Sequence, residues 1–278
     1  MSAGETRGLT DSFNKAAGTY ECRMGSATRA VARHIAKTLS VPRNATICDN
    51  ACGTGAVAKA ILDVHPDAHI AASDSSPGMI DIISKTAREE NWGDGVNFKV
   101  QDSVRLEYPD SLFDANIMSF GIFFTSDEVA TAKEIYRTLK PGGTAVLTCW
   151  KESAIFRMIF DMQDIVQPAE RLQSLPMFDR WGDPQTMVSV LQAGGFVDVE
   201  MDVLPIDATG GTLADIVASI SENFKGILGE RWTPEEKAKI DGATAQVLTR
   251  QRQRYLSVDE DDCKGVRWVA WIATAIKQ

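Results

Sequence analysis

Asp49-Asn50-Ala51-Cys52-Gly53-Thr54-Gly55 stands between a short apolar run and an amphipathic segment. Glycines at such a place let the chain turn tightly and let a ligand approach the first N–H groups of a helix. Three further apolar runs end in residues that can hydrogen-bond. Asp74 and Ser75 follow Ile70–Ser73, Asp102 and Ser103 follow Val96–Val100, and Ser119 lies at the end of the run that begins at Ala115. Ligands of open parallel sheets sit outside the carboxyl ends of the strands, so these residues describe one crevice. Their chemistry is that of carboxylates facing cations or hydroxyl groups, which they bind by charge-assisted hydrogen bonds.

The elements that must position these groups follow from periodicity. The first 40 residues read as helices, with Phe13, Ala16, Ala17 and Tyr20, then Val31, Ile35 and Leu39, at helical spacing. Strands are expected at Ala45–Cys48, Ile70–Ser73, Val96–Val100, Ala115–Phe120 and Thr144–Trp150, with helices at Val57–Leu62, Pro77–Arg88 and Asp127–Leu139. Lys140-Pro141-Gly142-Gly143 is expected as a turn. This alternation implies a doubly wound, Rossmann-like α/β sheet of seven strands in a single domain over 1–278. Residues 1–42 form N-terminal helices over the site and 45–150 the ligand-binding core. Residues 151–192 and 205–256 are helical cap insertions, interrupted by a helix near Pro184–Gln192 and a strand at Phe196–Val203. Thr233 before Pro234 reads as a helix cap, and Val266–Ile276 closes the chain as a strand.

Two adenosine cofactors compete for the glycine loop. Gly53–Ala58 satisfies the GxGxxG/A dinucleotide pattern, and Asp74 has the spacing of a ribose-binding acid, which supports a nicotinamide-dependent oxidoreductase. Asp49 weighs against it, because a carboxylate before the loop gains nothing beside a pyrophosphate and much beside a sulfonium and an ammonium. Phe113-Asp114 before the fourth strand and Lys140–Gly143 before the fifth complete the set. Together these motifs resemble the class I S-adenosylmethionine-dependent methyltransferases from about Phe13 to Trp150. The run Cys48–Val57 is also similar to fungal thiol methyltransferases of the gliotoxin bis-thiomethyltransferase type.

The resemblance implies a role for each matching residue. Asp49, Ala51, Gly53 and Gly55 would form the loop under the methionine part of S-adenosylmethionine, Ala51 standing where the family more often has glycine. Asp74 would hold the ribose hydroxyls, Ser75 and Met79 the adenine, and Asp102 and Ser103 its amine edge. Ser119 would lie along the methionine chain. Phe13, Ala17 and Tyr20 resemble an F-x3-A-x2-Y lid whose tyrosine reaches the cofactor carboxylate.

Methyl transfer needs an in-line nucleophile in a dry pocket, and a base only when the acceptor is poorly ionised. His34, His65 and His69 are the only histidines, and none is expected near the crevice. That favours a thiol, whose pKa is about 8.5, over an alcohol; Glu152, Asp161 and Asp164 are the reserve bases. The acceptor pocket is expected from Phe13, Phe123, Phe124, Trp150, Arg157, Met158, Met177, Phe178 and Trp181. No carboxylate cluster suggests a metal, and an amino-methylating Pro-Pro-Tyr motif is absent after the fourth strand. A non-methylating, pericyclase-like protein on the same fold is the third reading.

Composition bounds the partners. A net charge of -9 opposes phosphate backbones, and the basic run Arg250–Arg254 is followed at once by Asp259-Glu260-Asp261-Asp262, so nucleic acid is not expected. Five cysteines without a CxxC pair fit a reducing compartment. No secretory signal or membrane span is read, which makes the expected protein a cytoplasmic monomer or homodimer acting on a small molecule.

Overall fold

The computed structural model describes residues 3–166, 176–208, 212–228, 232–259 and 262–278. It holds one mixed sheet in the order β3-β2-β1-β4-β5-β8-β6, with β7 added against β8. The strands are β1 (Thr46–Asn50), β2 (His69–Asp74), β3 (Val96–Val100), β4 (Phe113–Ser119) and β5 (Leu139–Ser153), followed by β6 (Val199–Ala208), β7 (Leu256–Asp259) and β8 (Asp262–Ile276). Strands β1 to β5 pair in parallel, while β8 runs antiparallel between β5 and β6. The chain order reverses between β1 and β4, which is where such sheets open a crevice. This is the Rossmann-like α/β architecture expected.

Helices α1 (Ala3–Thr38), α2 (Ala56–Val64) and α3 (Pro77–Glu89) pack together, and α4 (Glu128–Thr138) packs with α7 (Pro184–Gly194). Between them lie α5 (Ala154–Val166) and α6 (Pro176–Gly182); α8 (Leu213–Leu228), α9 (Pro234–Arg250) and the single turn α10 (Arg252–Tyr255) complete the set. Local signals account for the starts. Ser76 caps α3 by accepting from Met79 N, with Pro77 in the first turn, and Asp127 caps α4 by accepting from Ala130 N at 2.9 Å. Thr233 and Glu236 form a reciprocal capping box at the start of α9, as the Thr-Pro pair suggested.

Four boundaries differ from expectation. The N-terminal helices are one continuous helix of 36 residues. Strand β5 begins at Leu139, and Lys140–Gly143 is an excursion within it: the register jumps from Phe113↔Leu139 to Ala115↔Thr144, with Gly142 at φ 79°. Residues 205–208 and 256 belong to strands and not to a helical cap. The cause is β8, whose 15 residues offer a ladder long enough to pair β5 and β6 along its length and β7 at its start.

No helix crosses between β3 and β4; residues 101–112 make the connection as turns. Arg137 of α4 holds them. Its guanidinium donates to Leu106 O and Tyr108 O, both at 2.9 Å, to Asp110 Oδ1 at 2.7 Å, and to both oxygens of Glu134 at 2.7 and 2.8 Å. Glu134 in turn accepts from Leu106 N at 2.8 Å. Replacing Arg137 by Met strands two part-buried carbonyls and one carboxylate. Because the guanidinium is partly exposed, the expected loss is about 1–3 kcal/mol, read as a lower urea midpoint, with faster amide exchange confined to residues 102–112.

Candidate functional site

The ends of β1, β2 and β4 open into a cleft that also receives α1. It contains about 810 Å³ of space, part of it open to solvent. One side is formed by Ala51, Gly53, Asp74, Ser75, Met79, Asp102, Ser103 and Ser119. The other is formed by Phe13 and Tyr20 from α1 and by Phe120, Gly121, Phe124 and Thr125 after β4. The structure thus brings together nine of the eleven expected cofactor residues. Asp49 and Gly55 stand apart from the lining.

Both exceptions have local causes. Asp49 is buried beneath the loop, and its Oδ2 accepts from Ala58 N at 3.0 Å, which seats the first turn of α2 on the end of β1. Gly55 has φ 94°, and a Cβ there would lie 2.6 Å from Ile83, so it serves the packing of α2 on α3. Ala51 keeps the left-handed turn of a glycine, with φ 55°, at a cost of about 1 kcal/mol. Its methyl faces Gly121, where a Cβ would come within 2.6 Å.

Asp74 joins the loop to the next element. Its Oδ2 accepts from Gly53 N and its Oδ1 from Ser76 N, each at 2.9 Å. Burial raises its pKa, and the N–H groups of Ser76, Gly53 and Ser75 pull the other way. Burial likewise pushes Asp49 up to about 7, against the Ala58 N–H and with a further rise from the Asp74 charge. Asp102 is exposed at the rim, accepting from Val104 N at 3.1 Å, while Ser103 donates its hydroxyl to Asn50 Oδ1 at 2.7 Å. Two carboxylates line the cleft and a third lies under it, and among the described residues no Lys, Arg or His lines it. That donor set suits a cationic ligand with hydroxyl groups and opposes a pyrophosphate.

The acceptor expectations fare less well. Phe13 and Phe124 meet edge to face at 4.9 Å on the cleft wall. Trp150 is core instead: its ring stacks on Phe120 at 4.0 Å and tilts against Trp268 at 4.8 Å. Met158 and Trp181 are buried, and Phe123 is packed between Phe124 and Trp181. Arg157 is exposed and faces Glu152 at 3.9 Å. The side chains of Met177 and Phe178 lie outside the described residues.

Asp161, a reserve base, already accepts from Tyr255 Oη and from Gln251 Nε2 at 2.8 Å. Neither it, Glu152 nor Asp164 lines the cleft. His65 sits against Ala36 O at 3.2 Å, and His69 opens the far end of β2. A Tyr-x-x-x-Lys spacing, the oxidoreductase signature, exists at Tyr136 and Lys140, yet it is structural. Tyr136 packs on Phe196, and Lys140 grips both oxygens of Asp114 at 2.8 Å. Phe120, Gly121 and Thr125 were missed as lining residues; their place just past a strand end was the available signal. Phe120 holds φ 58°, fixed by its N–H on Thr148, which no sequence pattern indicates.

Residues 47–143 match the family model of a methyltransferase domain. Over 120 residues the chain is 32% identical to the demethylmenaquinone methyltransferase of Deinococcus radiodurans, covering 41% of this chain and 49% of that protein. The chain therefore spans about half the length of this curated relative. The methyltransferase tpcH of Aspergillus fumigatus is 22% identical over 250 residues, covering 83% of this chain and 84% of its own. Among solved structures, phosphoethanolamine N-methyltransferase 2 of Haemonchus contortus superposes with a TM-score of 0.57 at 16% identity, covering 95% of this chain and 58% of that one. Residues 47–143 are thus similar to a methyltransferase domain, and the chain shares its fold with that solved methyltransferase.

Asp49 gives a titration that can be read. Its folded pKa lies near 7 and its unfolded value near 3.8. The protonated form is thus favoured by folding, and its contribution is full below the unfolded value and lost as pH rises through about 7. Asp49→Asn keeps an acceptor for Ala58 N without the charge. Relative to wild type, the variant is expected to gain stability between pH 4.5 and 8, by a few kcal/mol at most. Urea melts at both pH values check this, and a pH-independent difference contradicts it.

Proposed function

We propose that the chain is an S-adenosylmethionine-dependent methyltransferase acting on a small hydrophobic metabolite, with a thiol as the favoured acceptor. The observation that carries it is the charge of the cleft: carboxylates at the ends of successive strands, an acid under the loop, and no basic side chain among the described lining residues. The methyltransferase match over 47–143 supports the same cofactor. When bound, S-adenosylmethionine supplies a methyl group on a sulfonium, ready for displacement.

In this reading each group has one task. Asp74 accepts from the ribose hydroxyls while its other lone pairs stay on Gly53 N and Ser76 N. Asp102 takes the exocyclic amine, Ser103 the adjoining adenine edge, and Ser75 and Met79 the ring. Ser119 and the Ala51–Gly53 turn flank the methionine chain, whose carboxylate Tyr20 reaches. Phe13, Phe120 and Phe124 exclude water and offer ring faces to the cation.

Among the described residues, the aromatic side of the cleft carries no imidazole, lysine or spare carboxylate to take a proton. The acceptor must then arrive ionised or with a free lone pair, which a thiol does near neutral pH and an alcohol does not. The likeness of Cys48–Val57 to fungal thiol methyltransferases points the same way. In this reading the N-terminal half of α1 acts as a lid, and 151–192 with the helical part of 205–256 acts as a cap. The unpaired state of Cys48, Cys52 and Cys149 agrees with a cytoplasmic setting, as monomer or homodimer. No described helix is long and apolar enough to cross a membrane.

Asp74→Ala is expected to weaken binding of the cofactor and of its demethylated product by roughly 30- to 1000-fold, the loss of two charge-assisted bonds. Calorimetric titration measures it, with circular dichroism confirming the fold; wild-type affinity in the variant removes Asp74 from the site. Micromolar NADH binding without binding of either adenosyl ligand would overturn the cofactor.

Matched thiol, amine and phenol acceptors assayed over a pH series at saturating cofactor test the acceptor. The thiol is expected to react fastest, with a rate rising until the acceptor itself is ionised and no second limb from the protein. Exclusive methylation of the phenol with a bell-shaped profile sinks the thiol assignment. Tight cofactor binding with no turnover of any acceptor favours a non-methylating protein.

A further inference from the structure

Phe13 and Tyr20 come to the cleft from α1, and the residue between them in the same helical turn as Phe13 is bonded elsewhere. Asn14 Oδ1 accepts from Ser76 Oγ at 2.5 Å and from Gly78 N at 3.1 Å. Ser76 is the cap of α3: its hydroxyl accepts from Met79 N at 3.3 Å while its own N–H donates to Asp74 Oδ1 at 2.9 Å. One serine thus links Asn14 to the cleft carboxylate by two successive hydrogen bonds. A second observation concerns space. A Cβ on Gly78 would lie 3.3 Å from Asn14 Oδ1, 3.4 Å from Asn14 O and 3.5 Å from the Ala17 methyl. The first turn of α3 is therefore bare where α1 rests on it.

We infer that Asn14 is a positioning residue: it seats the N-terminal half of α1 on the cap of α3 and so sets Phe13 and Tyr20 over Asp74. The inference rests on the proposed function for what the cleft holds, whereas the seat is a property of the chain itself. Two consequences follow. A ligand that orders Asp74 and Ser76 also orders the aromatic wall, and by linkage a seated α1 raises affinity for that ligand. The acceptor pocket is then complete only after the cofactor side is filled. A neutral amide does this without adding a fourth negative charge beside Asp49, Asp74 and Asp102.

Asn14→Ala, Asn14→Asp and Gly78→Ala in the full chain test the seat, using amide exchange and calorimetry with S-adenosylhomocysteine. In Asn14→Ala, exchange over residues 11–20 is expected to rise about tenfold in the free protein, with strands β1 to β5 unchanged, and affinity to fall about tenfold. Asn14→Asp keeps both acceptor bonds and so keeps wild-type exchange over residues 11–20; its added charge near Asp74 alters affinity by itself, so exchange alone is read from this variant. Gly78→Ala brings a Cβ to 3.3 Å from Asn14 Oδ1 with Asn14 intact, and is expected to raise exchange over 11–20 by less than Asn14→Ala does, although alanine favours the helix at that position; it also reads the seat if Asn14→Ala fails to fold. Unchanged exchange over 11–20 overturns the seat. Faster exchange with wild-type affinity overturns the positioning role. Absence of any adenosyl binding by the wild-type protein counts against the proposed function alone, and the free-protein exchange still decides the seat.

Discussion

One carboxylate ties the site together. Asp74, at the last residue of β2, receives Gly53 N from the turn after β1 and Ser76 N from the cap of α3. The turn, the strand end and the helix start can hold their relative places only while that carboxylate bridges them. The bridge explains why the loop tolerates Ala51 in a left-handed conformation. The ends of the turn are fixed by Asp74 and by Cys52 N on Ser73 O at 2.9 Å, so an unfavourable φ in the middle is over-determined by its surroundings. It also explains the raised pKa, since the geometry that serves the backbone withdraws the group from water.

Two buried or half-buried acids near each other with no base to offset them is an expensive arrangement for a protein without a ligand. Asp49 near pKa 7 shows the scale of the tension. Asparagine in place of Asp49 would meet the folding need there, since one oxygen accepts from Ala58 N, whereas the two N–H groups on Asp74 require both oxygens of a carboxylate. A cation in the cleft would relieve both groups at once, and no described lining residue supplies one. The sign of the charge around the cleft separates the two adenosine cofactors better than the glycine pattern does. Glycines report only that a backbone turns, whereas the sign of the field reports what can sit above it.

The cofactor side was legible because its determinants are local. Strands β1 to β4 end where apolar runs meet Asp49, Asp74, Asp102 and Ser119, and periodicity finds such ends within a residue or two. Where a residue lies was legible; which way it faces was less so. Asp49 and Gly55 carry the right identity at the right place, yet face inward because α2 and α3 need them. The acceptor side was read poorly for a related reason. Trp150 and Trp181 are aromatic and follow the strands, but the pairing of β5 with β8 turns Trp150 onto Trp268, and that contact spans more than a hundred residues. The Lys140–Gly143 motif, expected as a turn, is an irregular stretch inside β5, and only the structure shows that Lys140 holds Asp114, whose Oδ2 also accepts from Thr46 N at 2.8 Å. It locks the strand starts, at the edge away from the cleft.

These two sides also differ in where along the chain they come from. The segment matching the methyltransferase domain, 47–143, holds every cleft residue of the acidic side. Phe13 and Tyr20 lie before it, and the Trp150–Trp268 stack behind Phe120 lies after it. Phe120 itself sits at the seam, its strained backbone bonded to Thr148 and its ring pressed on Trp150. The shape of the aromatic wall is thus set by long-range packing of α1 and β8 onto the segment that matches the methyltransferase domain. A change in either can reshape the aromatic wall without touching Asp74 or the turn.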